Sequence, residues 1–519
     1  MKIKNPILKG FNPDPSLLRV GDDYYIATST FEWFPAVSIY HSKNLADWEL
    51  ITHALNDEKQ LNMKGIDTSC GIWAPNLTYS DGVFYLMYTI VYTNRARYKD
   101  TYNYLTISKN VYGPWSDGVF INSSGFDPSL FHDDDGKKYV VNMVLDYRLD
   151  KNRFAGIDIQ EYNEKSQKLI GTPTRIFSGT NRGTTEGPNI LKRNGWYYLV
   201  CAEGGTSYGH CSIVLRSKNI YGPYEESPFN PIITSSNDPQ CQLQRAGHMQ
   251  LMETKDGHWY AAHLCSRPVE GFSILGRETA IQNIVWQDDW CMLESGSYLP
   301  NMEFTIKDNN LITSKNKIVY DFHDNNFPLD FYTLREDFET NKITIKNNKL
   351  LIEGGCSIAS KYNQGLIARR VDSFNCDFKV SLEFEPKHYR HIAGLIVYYN
   401  YDNSYEIRLT KGDIDKNISV VAINNGVINE SDVKEVQCEN ISSTIYLKAK
   451  IRKENVEFYF SIDDVNYTKV GDVYDMKKIS DEYIEGNGFT GAMVGVNCMD
   501  LQGDGCTAEF DFLEYERFC

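Results

Sequence analysis

Thr185-Glu186-Gly187-Pro188-Asn189-Ile190-Leu191-Lys192-Arg193-Asn194-Gly195-Trp196-Tyr197-Tyr198 is the stretch whose reading decides the fold. It runs as an acid, a turn pair, an apolar stretch, an Asn-Gly turn and paired aromatics. Asn-Gly signals a type I′ hairpin turn, because both central residues take positive φ. The stretch therefore reads as two antiparallel strands with a carboxylate at the head of the first. From Glu186, Gly195 lies nine residues on, and Tyr197 and Tyr198 lie eleven and twelve on. The same steps lead from Trp73 to Gly82, Phe84 and Tyr85, from Asp127 to Gly136, Lys138 and Tyr139, and from His248 to Gly257, Trp259 and Tyr260. From Asp14 the turn is one residue shorter, ending in Asp23 before Tyr24 and Tyr25.

Five units at intervals of roughly 50–60 residues fit one four-stranded propeller blade each. Later strands of the blades also show. Val37-Ser38-Ile39-Tyr40-His41-Ser42 alternates, and Tyr112-Gly113-Pro114-Trp115 and Tyr221-Gly222-Pro223-Tyr224 hold matching late positions. No long segment of helical period intervenes. After Ile284-Val285-Trp286 the acid motifs stop, and a polar Lys/Asn stretch follows. Then alternating strands appear at sandwich-like spacing, such as Phe378–Phe384, Gly394–Tyr399 and Val456–Phe460. The expected fold is all-β: a five-bladed β-propeller over residues 1–305, a linker over 306–319, and an antiparallel, concanavalin-like β-sandwich over 320–519.

The 519 residues carry a formal net charge of −16. So acidic a chain argues against nucleic acid and against anionic membrane surfaces as partners. It is compatible with a neutral substrate. The 13% aromatic content, with 35 Tyr, favours β-structure and suits stacking on sugars. No apolar run approaches the roughly 20 residues of a membrane helix. Met1–Pro6 has no apolar signal core, and the 12 Cys are scattered without a C-x-x-C pair. Reduced thiols in a cytoplasmic protein are the expectation.

A propeller's innermost strands face its axis, so Asp14, Trp73, Asp127, Glu186 and His248 should line one pocket. Three carboxylates there cannot all stay ionised cheaply, and the one that keeps its proton near neutral pH is the natural general acid. Glu186 is assigned that role. Asp14 stays ionised as the base that activates water, and Asp127 tunes the pKa and orientation of the acid. Any single Asp-Pro pair is more often a turn former or a cap. Three acids in repeat register are not explained that way. Trp73 reads as a sugar platform or as blade core. The run Phe31-Glu32-Trp33-Phe34-Pro35 reads as a loop on the pocket face or a buried aromatic corner. His248 reads first as a pocket hydrogen bonder; a ligand of an axial metal and a core histidine stay open. Arg277 reads as a partner of substrate hydroxyls or of a catalytic carboxylate, or as half of a structural pair. No cofactor or metal is called for, but a divalent ion on the axis near His248 is left open.

At these residues the chain resembles glycoside hydrolase family 43, specifically its two-domain β-xylosidases. The resemblance rests on Gly10–Ser16, Ala27–Pro35, Gly71–Pro75, Phe126–Leu130, Thr185–Pro188 and Leu275–Ala280, and it covers almost the whole chain. It implies an inverting hydrolase, with the base at Asp14, the acid at Glu186 and the modulator at Asp127. It further implies that Phe31, Trp73, His248 and Arg277 line the subsite of the non-reducing xylose. The sandwich would lend an aromatic to the pocket mouth, here assigned to Phe489. The activity implied is exo-acting β-1,4-xylosidase on small xylo-oligosaccharides, in a cytoplasmic homo-oligomer. α-L-Arabinofuranosidase activity, alone or as a second activity, is the nearest alternative, and a non-catalytic carbohydrate-binding protein is the alternative of another class. Arg267–Gly276 is shorter than the family pattern, which bears on the leaving-group subsite and not on the catalytic trio.

Overall fold

The computed structural model describes residues 2–95, 97–306, 316–436, 444–486 and 488–518. Most of the expected linker, residues 307–315, lies outside that set. The protein is built almost wholly of antiparallel strands.

Five sheets form the propeller. Blade I runs outward through Ser16–Val20, Asp23–Thr28, Ala36–Ser42 and Glu49–Leu55. Blade II runs through Gly71–Ser80, Val83–Arg95, Tyr98–Ser108 and Val119–Asn122. Blade III runs through Gly125–His132, Lys138–Leu145, Phe154–Asn163 and Lys168–Phe177. Blade IV holds Thr185–Arg193, Trp196–Glu203 and Cys211–Ser217, edged by the short strands Glu225–Glu226 and Ile233–Thr234. Blade V holds Gln244–Glu253, Trp259–Ser266, Glu278–Gln287 and Trp290–Leu293. Each blade is one continuous chain segment, so no strand is exchanged to close the ring. Instead the N-terminal segment lies along blade V. Lys2–Lys4 pairs with Glu303–Thr305, and Leu8 bridges Thr279. The Asn5 side chain donates to Ile281 O (2.8 Å) and accepts from Ile281 N (2.9 Å).

Side chains two residues past four of the five inner kinks stitch neighbouring blades together. Leu77 N donates to Ser16 Oγ, Leu130 N to Asn76 Oδ1, and Leu17 N to Gln250 Oε1. Asn189 Nδ2 donates to Met249 O. These four bonds pair polar groups at the axis that a ring of blades would otherwise bury, whereas the buried Ser129 hydroxyl of blade III has no such partner.

The second domain is a sandwich of two sheets, of nine and eight strands. The eight-stranded sheet faces the propeller, and its strand His391–Asn400 is buried along its whole length. Leu395, Val397 and Tyr399 enter the sandwich core, whereas Ile396 and Tyr398 join the apolar cluster of the propeller. Alternate residues therefore serve two cores, which is why this strand lacks the polar outer face of an exposed sheet. The last strand of this sheet comes from the propeller: Trp33–Phe34 pairs with Tyr332–Leu334. The aromatic run at 31–35 is thus neither a plain pocket loop nor a plain buried corner. Phe31 faces the pocket, and Trp33 and Phe34 cap a sheet edge.

Candidate active site

The inner strands of blades II to V carry a bulge at the axis, between Trp73 and Asn76, Phe126 and Ser129, Glu186 and Asn189, and Gly247 and Gln250. Beyond each bulge Asn76, Ser129, Asn189 and Gln250 pair with the second strand, as Ser16 does in blade I. The equivalent kinked residues are Asp14, Ala74, Asp127, Gly187 and His248, all at φ between 34° and 58°. This corrects the register expected from the hairpin turns. Asp14, Asp127 and His248 stand at the kink, but Trp73 and Glu186 stand one residue before it, level with Phe126. The turns of blades III and V are one residue longer, and counting back from them hid the slip. Despite the offset, Glu186 and Asp127 line the same cavity.

All eight expected site residues come together. Asp14, Phe31, Trp73, Asp127, Glu186, His248, Arg277 and Phe489 line one cavity of about 150 Å³. The lining also includes Lys99, Phe126, Phe154, Thr184, Gly205 and Thr206, which sequence reading missed. Phe126 was within reach, as the neighbour of Asp127 level with Trp73. Lys99 sits on the third strand of blade II, where no repeat marks it.

The aromatic wall is a packed set. Phe31, Trp73 and Phe489 have ring centroids 5.5–6.1 Å apart, and Phe126 meets Trp73 edge-on at 5.4 Å. Phe489 reaches the propeller because Gly276 and Gly491 let two backbones touch. A Cβ on Gly276, at φ 73°, would lie 2.4 Å from Thr490 O. Lys99 Nζ stands 4.5 Å from the ring centres of both Trp73 and Phe126.

The three carboxyls are poised differently. Burial works to raise all three. For Asp14 it is overcome: Arg277 Nη1 donates to Oδ1 at 3.0 Å, Ser29 Oγ donates to Oδ2 at 2.7 Å, and His248 Nδ1 lies 3.7 Å away. The Asp14 carboxyl is held below its usual range. Glu186 is pushed up to about 7 by burial and by the Asp14 charge, against the pull of Lys99 and Arg277. Asp127 is pushed well up by burial and by Glu186 and Asp14, against the Gly187 N–H on Oδ2 (2.9 Å) and Lys99. Glu186 and Asp127 behave as one pair that keeps a proton near neutral pH. Burial holds Lys99 down to about 8 and His248 below its usual value.

His210 is buried behind this floor, with Nδ1 on Gly205 O at 2.5 Å, and its pKa is pushed down to about 3 by burial. It therefore stays neutral and pins the Gly205 wall. The axial divalent ion left open by the sequence gains no support from the Asp14 carboxylate beside His248. Both Asp14 oxygens are taken by other donors, one of them the Arg277 cation. Among the described residues, the His/Cys/carboxylate set near enough to hold an ion is His391, Asp500 and Cys506, in the sandwich.

A propeller whose axial pocket separates an ionised carboxylate from a proton-holding carboxyl pair is the framework of a glycoside hydrolase. The family model for glycosyl hydrolases family 43 matches residues 3–291, and that of the beta xylosidase C-terminal concanavalin A-like domain matches residues 319–516. The chain belongs to glycosyl hydrolases family 43. It is 41% identical to a beta-xylosidase of Bacillus subtilis (strain 168), over 100% of both chains. It is 42% identical to xylosidase/arabinosidase 43B of Humicola insolens, over 99% of this chain and 97% of that one. The crystal structure of xylan beta-1,4-xylosidase from Bacillus halodurans C-125 superposes with a TM-score of 0.96 at 42% identity, over 99% and 100% of the two chains.

Proposed function

We infer that the protein is an exo-acting, inverting β-1,4-xylosidase that removes xylose from the non-reducing end of small xylo-oligosaccharides. One observation carries the reading: Asp14 is held ionised while the Glu186–Asp127 pair keeps a proton in the same cavity. That is the base and acid pair of a single displacement. Asp14 takes a proton from water as the water oxygen attacks the anomeric carbon. Glu186 gives its proton to the leaving oxygen as the glycosidic bond breaks. Asp127 shares that proton with Glu186 as a coupled pair, and Arg277 and His248 keep Asp14 charged and in place. Phe31, Trp73 and Phe489 supply apolar faces for the sugar ring. The free thiols of the described residues fit a reducing compartment such as the cytoplasm.

A proton NMR time course of xylobiose hydrolysis tests this. α-Xylose should appear first and relax by mutarotation. β-Xylose first would mean retention and would remove Asp14 from the base role. The name of the Humicola insolens relative motivates a second measurement. Nitrophenyl β-xyloside should be cleaved faster than nitrophenyl α-arabinofuranoside, and the reverse order would make arabinofuranosidase the main activity.

A further inference from the structure

Phe31, Trp73 and Phe489 come from three separated chain segments, and one buried residue touches the anchors of two of them. Ser69, 1% exposed and at φ 57°, accepts the Trp73 indole N–H on its carbonyl (3.1 Å). Its Oγ accepts the backbone N–H of Phe489 from the sandwich (3.2 Å). Its own N–H donates to Glu32 Oε2 (3.1 Å). Glu32 follows Phe31 directly and is 1% exposed. We propose that Glu32 is a positioning residue of the sugar pocket: through Ser69 it fixes the Trp73 indole and the Phe489 segment, and so sets the affinity for the bound sugar. The proposal rests on reading this cavity as the sugar site.

A merely structural ion pair with Arg335 is the competing account. Arg335 is within electrostatic reach of the carboxyl, but it directs Nε to Ile66 O (2.6 Å) and Nη1 to Gln364 Oε1 (2.9 Å). Its backbone N–H takes the Glu32 carbonyl, not the carboxyl (2.8 Å). The carboxyl accepts from the Ser69 N–H and from its own backbone N–H. Asp67, Cys70 and Tyr398 are the other titratable groups nearby, and burial keeps the Tyr398 hydroxyl neutral. Arg95 and Lys361 hold Asp67 ionised against its burial, and burial keeps the Cys70 thiol neutral. Burial, against Arg335, pushes Glu32 up to about 7. Its charge, and with it the stronger form of the bond to Ser69, is present above that pH and fades below it.

This gives a readout that a purely structural role would not move. Glu32→Gln keeps an acceptor oxygen and loses the charge at every pH. Its KM, on whichever nitrophenyl glycoside the wild type cleaves, should exceed the wild-type value about tenfold at pH 8. The ratio should shrink toward one by pH 6, as the wild type protonates, with kcat changed less than KM. Ser69→Ala keeps the N–H and carbonyl but loses Oγ, and it should raise KM at both pH values. It carries the test if the Glu32 variant does not fold. A KM ratio for Glu32→Gln that is flat with pH, or a Ser69→Ala KM equal to the wild type, overturns the proposal. A wild type that cleaves neither glycoside defeats the functional reading instead. The same ratios taken as xylose dissociation constants by calorimetry then test the positioning role alone.

Discussion

At the scale of single residues, the site works by giving identical side chains different surroundings. Asp14 and Asp127 occupy the same kinked position of their blades, yet one is lowered and the other raised. The difference is a guanidinium at 3.0 Å from Asp14, against a neighbouring carboxyl beside Asp127. The signs fix the pH profile. Glu186, raised to about 7, holds its proton below that pH, so activity falls as pH rises through about 7. Asp14, lowered from 3.8, loses its basic form only as pH drops beneath that value, so the acid limb lies well below the alkaline one. Asp14→Asn and Glu186→Gln should each lower kcat by roughly 10²–10⁴-fold on xylobiose with the thermal midpoint kept. Two neighbours should move the alkaline limb in opposite directions. Asp127→Asn leaves Glu186 to hold the proton alone, without a second carboxyl to share it, so the limb should shift to lower pH along with a fall in rate. Lys99→Met removes an attracting charge, so the limb should shift to higher pH. Profiles of kcat/KM for both variants check this, and a shared direction would count against the coupled pair.

At the scale of elements, the hairpin turns announced the blades because four of the five carry Asn-Gly or Asp-Gly, whose glycine takes positive φ at little cost. They did not announce which residue of each inner strand faces the axis. That depends on the bulge, and a bulge shows in pairing and not in residue type. Trp73 and Glu186 were therefore found as pocket residues but placed one position out of register. Lys99 escaped because a lysine inside an alternating strand resembles any solvent-facing residue. The edge strand Trp33–Phe34 escaped because its partner Tyr332–Leu334 lies about 300 residues away. Phe489 was legible through the family resemblance, and the glycines that admit it explain its reach. Gly276→Ala would place a methyl group 2.4 Å from Thr490 O in a backbone conformation that disfavours side chains. The expected cost is about 1–3 kcal/mol of stability, with a raised KM as Phe489 backs away. Thermal unfolding and KM measured together check it: a lowered midpoint with KM unchanged would detach Phe489 from the pocket.

At the scale of the molecule, the two domains are one folding problem. A single apolar cluster runs from Ile72 and Trp73 at the pocket through Trp33 and Phe34 to Ile396, Tyr398 and Met493 of the sandwich. Polar ties surround it. The Arg370 guanidinium lies 4.3 Å from the Tyr332 ring centre, with Nε on Phe11 O and Nη2 on Ser38 Oγ. Arg245 Nη1 reaches Asp481 Oδ2 at 3.0 Å, both side chains nearly buried. Breaking such pairs leaves charges buried without partners, which costs more than the pairs contribute when intact. A propeller of residues 1–305 alone would expose Trp33 and Phe34 as an unpaired apolar edge and leave the mouth of its pocket without Phe489. We propose that these two units, though separable in sequence, do not melt apart. Calorimetry of the whole chain should give one cooperative transition, with van't Hoff and calorimetric enthalpies in agreement. The isolated 1–305 segment should aggregate or lack a fixed near-ultraviolet dichroism, because its edge strand then invites pairing with other chains. Two resolved transitions, or a monomeric 1–305 segment with wild-type KM, would show that the pocket is complete within the propeller and that the sandwich only rests against it.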